Sequence, residues 1–284
     1  MKLETQCLHA GYSPESTTNS CAVPLYKTSS FVFNNTEHAA NLFGLRELGN
    51  IYTRLMNPTT DVLEQRVAAM EGGAAGLGIA SGTSAVFYSI INIAQEGDEI
   101  ISANNLYGGT YTQFNDILPK FGIKVKFVDP NDPANFAAAI TDKTKAIFCE
   151  SVSNPGLDVA DIKGIANVAD DHGIPLIVDS TFSTPYLTNP IEHGASIVIH
   201  SLTKWMGGHG NGIGGVVVDS GTFNWKNGNF PLYDEPDNSY HGLRWGHDLP
   251  EPLAPLAFIL RMRTVPLRNL GACISPDNSW QFLQ

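Results

Sequence analysis

The sequence has little cysteine, few cationic side chains and no long apolar run, and each shortage argues against a class of protein. The four cysteines are far apart, and no two of them have the C-x-x-C spacing of zinc and redox motifs; they are Cys7, Cys21, Cys149 and Cys273. We therefore expect reduced thiols and no metal site. No apolar stretch approaches the roughly 20 residues that a membrane-spanning helix needs, so we expect no membrane association.

The charge balance is strongly acidic. There are 17 Lys and Arg residues against 28 Asp and Glu, a formal net charge of −11. An acidic surface disfavours nucleic acid or an anionic membrane as the main partner, although a local positive pocket for a small anion is still allowed. The first residues show no apolar core of a signal peptide, so we predict a cytoplasmic protein.

Apolar runs alternate with helical patterns over most of the chain. The runs are Leu77–Ala80, Glu99–Ala103, Val125–Val128, Ala146–Cys149, Leu176–Val178, Ile197–Ile199 and Gly215–Val218. Candidate helices between them are Thr83–Ala94, Thr110–Lys120, Asn135–Ile140 and Ile162–His172. Continuously apolar strands that alternate with helices indicate an α/β fold, with a mostly parallel sheet covered on both faces.

The ends of the chain depart from this pattern. Residues 1–56 are rich in Ser, Thr, Asn and Pro, and we predict an N-terminal arm that packs on another subunit. Asn57-Pro58 predicts a helix start, and Gly72-Gly73 a helix end, which makes 57–255 the α/β domain. Its last part, Gly221–Pro255, is rich in Gly, Pro, Asn and Asp and predicts a surface excursion. Residues 256–284 are helical again, with Leu267, Leu270 and Ile274 expected on one face.

Ligands of open α/β sheets bind at the carboxyl ends of the strands, which directs attention to the residues after each run. Ser81-Gly82-Thr83-Ser84 follows the first run and precedes a helix, so its small residues and free N–H groups suit an anion such as phosphate. Any tight strand–helix turn needs small residues, however, so this signal alone is evenly balanced.

Two further strand ends carry groups that could react or bind. Asp179 follows Leu176–Val178, where a buried carboxylate needs a cation, strong donors or a helix to cap. Ser201, Thr203 and Lys204 follow Ile197–Ile199. A lysine can form an imine with an aldehyde, although a single lysine here is more often an exposed loop residue. Together the three sites offer a phosphate grip, an acidic partner and an imine-forming amine, which is what pyridoxal 5'-phosphate (PLP) requires.

Short motifs around these positions resemble the Cys/Met-metabolism family of PLP enzymes. The matching segments are Tyr52–Thr59 (YTRLMNPT), Ala80–Ala85 (ASGTSA), Leu106–Thr110 (LYGGT), Glu150–Pro155 (ESVSNP), Val178–Thr181 (VDST), His200–Lys204 (HSLTK) and Gly207–Gly210 (GGHG). The resemblance covers essentially the whole chain. It implies a PLP-dependent transferase of fold type I, the aspartate-aminotransferase type, with PLP as cofactor.

The resemblance also implies roles for single residues. Lys204 matches the Schiff-base lysine, and Asp179 matches the partner of the pyridine nitrogen. Tyr107 matches the tyrosine that stacks on the cofactor ring and can share proton transfer with Lys204. The remaining matches are phosphate donors (Gly82, Thr83, Ser201 and Thr203), residues lining the cofactor and substrate (Asn154 and Thr181), and a pair that reaches the phosphate of a neighbouring subunit (Tyr52 and Arg54). Sites shared in this way imply a homodimer or homotetramer.

Later segments resemble the O-acetylhomoserine sulfhydrylases of the family. These segments are Gly208–Gly212, Asn229–Leu232, Pro236–Gly242 and Leu267–Pro276. They imply γ-replacement on O-acetylhomoserine by sulfide or a thiol, giving homocysteine or methionine. Methionine γ-lyase, cystathionine γ-synthase or lyase, and a truncated non-catalytic chain that binds PLP or a partner are the alternatives. We expect 256–284 to be a linker helix leading to a C-terminal domain that is absent here and that supplies an arginine for the substrate carboxylate.

Overall fold

The computed structural model describes residues 1–284 and contains one seven-stranded sheet. The strands are β1 (Ala75–Ile79), β2 (Glu99–Ala103), β3 (Lys124–Val128), β4 (Thr144–Glu150), β5 (Leu176–Asp179), β6 (Ile197–Ser201) and β7 (Gly215–Asp219). Their order across the sheet is β1-β7-β6-β5-β4-β2-β3. Only β7 runs antiparallel to its neighbours, so β1 to β6 all point the same way. The predicted mostly parallel sheet is confirmed.

Helices connect and flank these strands. The α-helices are α1 (Leu3–His9), α2 (Thr36–Phe43), α3 (Pro58–Glu71), α4 (Gly82–Ile91), α5 (Gly108–Thr112), α6 (Pro133–Ala139), α7 (Ile162–Asp171), α8 (Thr184–Leu187), α9 (Pro231–Asp234), α10 (Ala257–Met262), α11 (Arg268–Leu270) and α12 (Pro276–Phe282). Gln113–Ile117 and Arg263–Leu267 form π-helical turns, and 3-10 turns lie at Leu118–Phe121, Pro190–His193, Asn238–Tyr240 and Ala254–Leu256. No helix is both long enough and apolar enough to cross a membrane.

Helix α3 begins and ends where its sequence predicts. The Asn57 side chain accepts a hydrogen bond from the Thr59 N–H at 2.9 Å, and Pro58 occupies the first helical position, where a missing N–H is harmless. Gly72 ends the helix in the left-handed conformation, with φ 72°. Leu63 and Val67 are each only 2% exposed and attach the helix to the core. The capping residues and the buried face therefore indicate the same helix, Pro58–Glu71.

The segment 221–255 departs from its predicted surface position. It contributes Trp225, Phe230, Tyr233 and Trp245 to the core, each at most 4% exposed. The Trp225 ring stacks on Tyr233 at 4.5 Å between centroids and on Phe258 of α10 at 5.3 Å. The prediction was wrong because it followed the Gly, Pro, Asn and Asp content and gave no weight to the aromatic residues between them, whose burial outweighs the irregular backbone.

The last residues fold back onto the rest of the chain. The helix through α10 and α11 ends at Gly271, with φ 83°, which leaves Leu270 58% exposed while Leu267 and Ile274 are buried. The predicted common face therefore fails for Leu270. Helix α12 returns to α3, where the Ser279 and Thr60 hydroxyls are 2.9 Å apart. The predicted division at residues 57 and 255 stays a prediction.

Candidate active site

A cavity of about 570 Å³ opens at the edge where β1, β2, β4, β5 and β6 end. We call it the strand-end cavity. Its lining includes Gly82, Thr83, Tyr107, Glu150, Asn154, Asp179, Thr181, Ser201, Thr203 and Lys204. All predicted site residues except Tyr52 and Arg54 therefore meet in one place. They meet because β1 and β6 run parallel although the antiparallel strand β7 separates them.

The first wall of the strand-end cavity is the start of α4. The Ser81 hydroxyl caps this helix by accepting a hydrogen bond from the Ser84 N–H at 3.1 Å. The N–H groups of the first turn have no partner within the helix, and the helix dipole makes this end favourable for an anion. A Cβ on Gly82 would lie 2.6 Å from the Ser201 Cβ, so only glycine lets the helix start approach the end of β6 this closely.

The hydroxyls after β6 complete this anion-binding corner. Ser201 lies beside Gly82, and its backbone N–H donates to the Thr181 hydroxyl at 2.8 Å. The Thr203 hydroxyl accepts from the Gly214 N–H at 3.1 Å and lies 3.2 Å from the Gly214 carbonyl, to which it donates. Thr203 can donate to a phosphate only by turning its proton away from Gly214. Helix N–H groups and two hydroxyls make the corner suitable for a phosphate.

Two carboxyl groups occupy adjacent strand ends at the floor of the strand-end cavity. Asp179 and Glu150 are directly paired in the register of β4 and β5. An Asp179 carboxylate oxygen accepts from the Thr181 N–H at 3.0 Å. Burial raises the pKa of Asp179, and the hydrogen bonds from Thr181 oppose that rise. Burial and the neighbouring Asp179 carboxyl raise the pKa of Glu150 to about 8. A positive group at this edge would relieve the repulsion between the two carboxylates.

Tyr107 and Asn154 stand on the wall formed by the loops after β2 and β4. The Tyr107 N–H donates to Glu150 Oε1 at 2.6 Å, and the Asn154 N–H donates to Glu150 Oε2 at 3.0 Å. The Tyr107 side chain is 48% exposed and lines the strand-end cavity. Its ring covers Gly109, where a Cβ would lie 2.5 Å from the ring. The Tyr107 ring can therefore lie here only because residue 109 is a glycine, since the Cβ of any other residue would collide with it.

Lys204 lies one short turn beyond β6. Its backbone N–H donates to the Ser201 carbonyl at 3.2 Å, and its own carbonyl accepts from Gly208 at 2.9 Å. The side chain is exposed at the strand-end cavity and forms no ion pair, unlike Lys27, Lys126 and Lys145. The amine is therefore open to a ligand rather than engaged in a structural salt bridge. Trp205 next to it packs edge-on against Phe182, with 6.3 Å between ring centroids, at the rim.

Tyr52 and Arg54 lie outside the strand-end cavity. Tyr52 is 40% exposed, and the Arg54 guanidinium carbon lies 5.2 Å from the centre of its ring. Both belong to the segment before α3, where Tyr52 bridges to Ser30. Their predicted place is a neighbouring subunit's site, so their role remains a prediction.

Glu150 is the site residue that the sequence analysis left without a role. It directly follows the apolar run Ala146–Cys149, as Asp179 follows Leu176–Val178. Applying the strand-end rule to this run as well would have found it. Its hydrogen bond to the Tyr107 N–H spans 43 residues, and no local pattern predicts it.

The set of groups fits PLP on the chemistry of the donors alone. A helix start and two hydroxyls suit the phosphate, Asp179 suits a protonated ring nitrogen, and an unpaired lysine amine suits an aldehyde. The strand-end cavity has the volume of an ordinary small-molecule site. The chain therefore provides each kind of group that this cofactor requires.

Relatives of the chain are enzymes of sulfur amino-acid metabolism. The chain is 55% identical over 287 residues to the O-acetyl-L-homoserine sulfhydrylase of Leptospira meyeri, covering 100% of this chain and 65% of the relative. It is 49% identical over 284 residues to the homocysteine synthase of Schizosaccharomyces pombe, covering 99% of this chain and 65% of the relative. The chain thus spans about two thirds of the length of these relatives.

Solved structures agree on the fold. A Campylobacter jejuni protein assigned as an O-acetylhomoserine (thiol)-lyase superposes with a TM-score of 0.94 at 41% identity, covering 100% of this chain and 70% of that one. That crystal structure contains N'-pyridoxyl-lysine-5'-monophosphate. Cystathionine gamma-lyase from Lactobacillus plantarum, complexed with L-serine, gives a TM-score of 0.80 at 31% identity, covering 100% and 62%.

The family model for Cys/Met metabolism PLP-dependent enzymes matches residues 4–284, nearly the whole chain. Together with the identities above and the converging strand ends, this match establishes the family and its cofactor. The chain belongs to the Cys/Met metabolism family of PLP-dependent enzymes.

Proposed function

We propose that this protein catalyses γ-replacement on O-acetylhomoserine, in which sulfide or a small thiol displaces acetate to give homocysteine or methionine. The observation that carries the proposal is the meeting of Lys204, Asp179 and the α4 start in one cavity. The 55% identity to an O-acetyl-L-homoserine sulfhydrylase supports this substrate over others of the family. The free cysteines agree with a reducing, cytoplasmic location, which we propose as well.

PLP, when bound, supplies an electron sink that acidifies the carbons of an attached amino acid. In this proposal Lys204 would hold the cofactor until the substrate amine takes its place, and the freed Lys204 amine then removes the proton from the substrate Cα. A proton must also leave Cβ before acetate can depart from Cγ, and Lys204 is the base for that step too. Tyr107 is the second group within the strand-end cavity that can hold and return a proton. The thiol sulfur takes the position of the departing acetate at Cγ.

The other residues bind and orient. Asp179 pairs with the ring nitrogen and favours its protonated form. The phosphate is held by the Gly82 and Thr83 N–H groups together with the Ser201 and Thr203 hydroxyls, while Asn154 and Thr181 line the cofactor and substrate. In an assembled dimer or tetramer, Tyr52 and Arg54 of one subunit reach the phosphate of the next. We also retain the division into an arm (1–56), a cofactor domain (57–255) and a linker helix (256–284).

Substrate competition tests the proposed activity. The purified protein, supplied with PLP, is assayed for acetate release from O-acetylhomoserine with sulfide. Parallel assays follow the release of methanethiol from methionine, of cysteine from cystathionine, and of succinate from O-succinylhomoserine with cysteine. We expect the acetyl ester with sulfide to have the highest kcat/KM. Faster turnover of methionine would instead indicate a γ-lyase, and faster turnover of O-succinylhomoserine with cysteine a cystathionine γ-synthase. Bound PLP without turnover of any substrate would indicate a non-catalytic chain.

A further inference from the structure

Glu150 is a buried carboxyl group at the edge of the strand-end cavity, and the proposed mechanism gives it no task. The side chain is only 6% exposed. Burying a carboxyl group is unfavourable unless hydrogen bonds compensate, so its partners indicate what the residue does. Both of those partners are backbone N–H groups of residues that line the strand-end cavity.

The two hydrogen bonds connect loops from different strands. Oε1 accepts from Tyr107, which follows β2 and precedes α5, and Oε2 accepts from Asn154 in the loop after β4. Tyr107 is 43 residues away along the chain and Asn154 four residues away. Neither loop position has a strand partner for its N–H group at this point. One carboxylate therefore fixes two loops to the end of β4.

The two residues held in this way, Tyr107 and Asn154, both line the strand-end cavity. We infer that Glu150 is a positioning residue of the cofactor site, whose carboxylate holds the backbones of Tyr107 and Asn154 so that both side chains face the strand-end cavity. Loss of either hydrogen bond would free the Tyr107 ring or the Asn154 amide to adopt other positions. This inference rests on the proposed function, because it takes PLP as the group that Tyr107 and Asn154 contact.

The position of Glu150 beside Asp179 supports the inference. The two residues are register partners, so a second carboxylate stands next to the one that pairs with the ring nitrogen. A carboxyl group at this place is costly, because repulsion from Asp179 adds to the burial penalty. A ligand cation at this edge offsets that repulsion, and ionised Glu150 accepts both N–H groups better than its neutral form.

Asp219 provides a matched control. It is also a buried carboxyl group at a strand end, 0% exposed, and it accepts one backbone N–H, that of Gly221, at 2.9 Å. It lies at the end of the antiparallel strand β7, on the opposite edge of the sheet, and does not line the strand-end cavity. E150Q and D219N therefore make the same chemical change near the cofactor and far from it.

The test measures PLP affinity and the visible circular dichroism of bound PLP for the wild type, E150Q and D219N. The amide that replaces the carboxylate in E150Q has a single acceptor oxygen, so one of the two N–H groups loses its partner. We therefore expect the Kd for PLP to rise about tenfold in E150Q, with a weakened visible dichroism band. D219N should stay within about twofold of the wild type. E150Q and D219N with equal Kd values and equal dichroism would overturn the inference.

A double-mutant cycle separates positioning from general loosening. If Glu150 acts through Tyr107, the effect of E150Q on the Kd for PLP should shrink from about tenfold to below about threefold in a Y107A background. Fully additive effects would contradict the inference. A wild type that turns over substrate while E150Q behaves like D219N would refute only the role of Glu150, whereas a wild type that binds no PLP would refute the proposed function as well.

One measurement needs no variant, and so it decides the case even if E150Q does not fold. Hydrogen exchange of the wild-type protein should show the Tyr107 and Asn154 amides protected well beyond their loop neighbours, because each donates to the buried carboxylate. Exchange of both amides at the rate of the exposed Gly108 amide would show that the Glu150 hydrogen bonds do not hold the loops in solution.

Discussion

Two neighbouring carboxyl groups make the stability of the cofactor-free protein depend on pH. Burial and Asp179 raise the pKa of Glu150 from 4.5 to about 8, so folding favours its protonated form. That contribution to stability is complete below pH 4.5 and is lost as the pH rises through about 8. We expect the free energy of unfolding of cofactor-free wild type to fall by a few kcal/mol more than that of E150Q between pH 6 and 9, at about 1.4 kcal/mol per pKa unit.

Urea unfolding at a series of pH values measures this difference. Asp219, whose pKa burial raises to about 7, contributes its own decline in both proteins and therefore cancels in the comparison. Parallel stability curves for the wild type and E150Q would show that Glu150 does not titrate in this range.

Gly82 is the residue at which a single methyl group should disturb the anion-binding corner. A Cβ there would lie 2.6 Å from the Ser201 Cβ and 3.0 Å from its Cα, so Gly82→Ala must push α4 away from β6. We expect a loss of about 1–3 kcal/mol in stability, measured by urea titration, and weaker binding of PLP, measured by titration with PLP. Gly108→Ala is the control, since nothing lies within 4 Å of its Cβ position. Equal affinities in the two variants would refute the close approach.

At the scale of elements, a buried hydrogen bond between an imidazole and a carboxyl group joins α3 to β6. His200 Nε2 lies 2.5 Å from a Glu71 carboxylate oxygen, and both side chains are 0% exposed. His200 directly precedes Ser201, so this pair helps to fix the strand that carries the phosphate hydroxyls. Removing the imidazole leaves a carboxyl group buried without its partner, and we expect His200→Ala to lower the free energy of unfolding by about 3–5 kcal/mol.

The comparison for this variant is an exposed ion pair of the same molecule. Lys27 and Asp277 are 2.9 Å apart with side chains 73% and 47% exposed, so Lys27→Ala should change stability by less than about 1 kcal/mol. The change in the free energy of unfolding of each variant is measured by urea unfolding. A loss for His200→Ala no larger than that for Lys27→Ala would contradict the structural importance of the buried pair.

The sheet elements could be predicted from sequence because their signal is local. Each apolar run lies within two residues of the strand bounds, since strands covered on both faces are rich in apolar residues. Because the predicted strands are parallel, their carboxyl ends lie at the same edge of the sheet, and this placed Asp179 and Lys204 together. The helix predicted at Thr110–Lys120 divides into α5, a π turn and a 3-10 turn, because Pro119 cannot continue a regular helix. The hydrogen bond between Glu150 and Tyr107 was out of reach, because it connects residues 43 positions apart.

At the scale of the whole molecule, the predicted sharing of sites between subunits can be tested by mixing two inactive variants. Lys204→Ala removes the cofactor anchor of its own site, while Arg54→Ala removes the phosphate contact that it supplies to a neighbour. In a mixed dimer, one site combines an intact Lys204 with an intact Arg54. We expect activity to return on refolding the two variants together, up to about a quarter of the wild-type value when half the assemblies are mixed and each has one good site.

Exposed apolar side chains agree with such an assembly. Val32, Tyr186 and Leu187 are between 71% and 96% exposed on the single chain. Burying them against another copy would remove that surface from water. Failure of the mixed refolding to restore activity, with sedimentation showing mixed dimers present, would refute shared sites and leave each site complete within one subunit.

We propose that Lys204 holds the cofactor as an imine, and reduction with borohydride locates that bond. The purified protein is loaded with PLP and treated with borohydride, which fixes an imine as a stable secondary amine, and the modified peptide is identified by mass spectrometry. Lys126 and Lys145, both held in ion pairs, serve as internal controls. We expect a pyridoxyl group on Lys204 and none in the Lys204→Ala variant. A pyridoxyl group on another lysine, or none in the wild type, would contradict it.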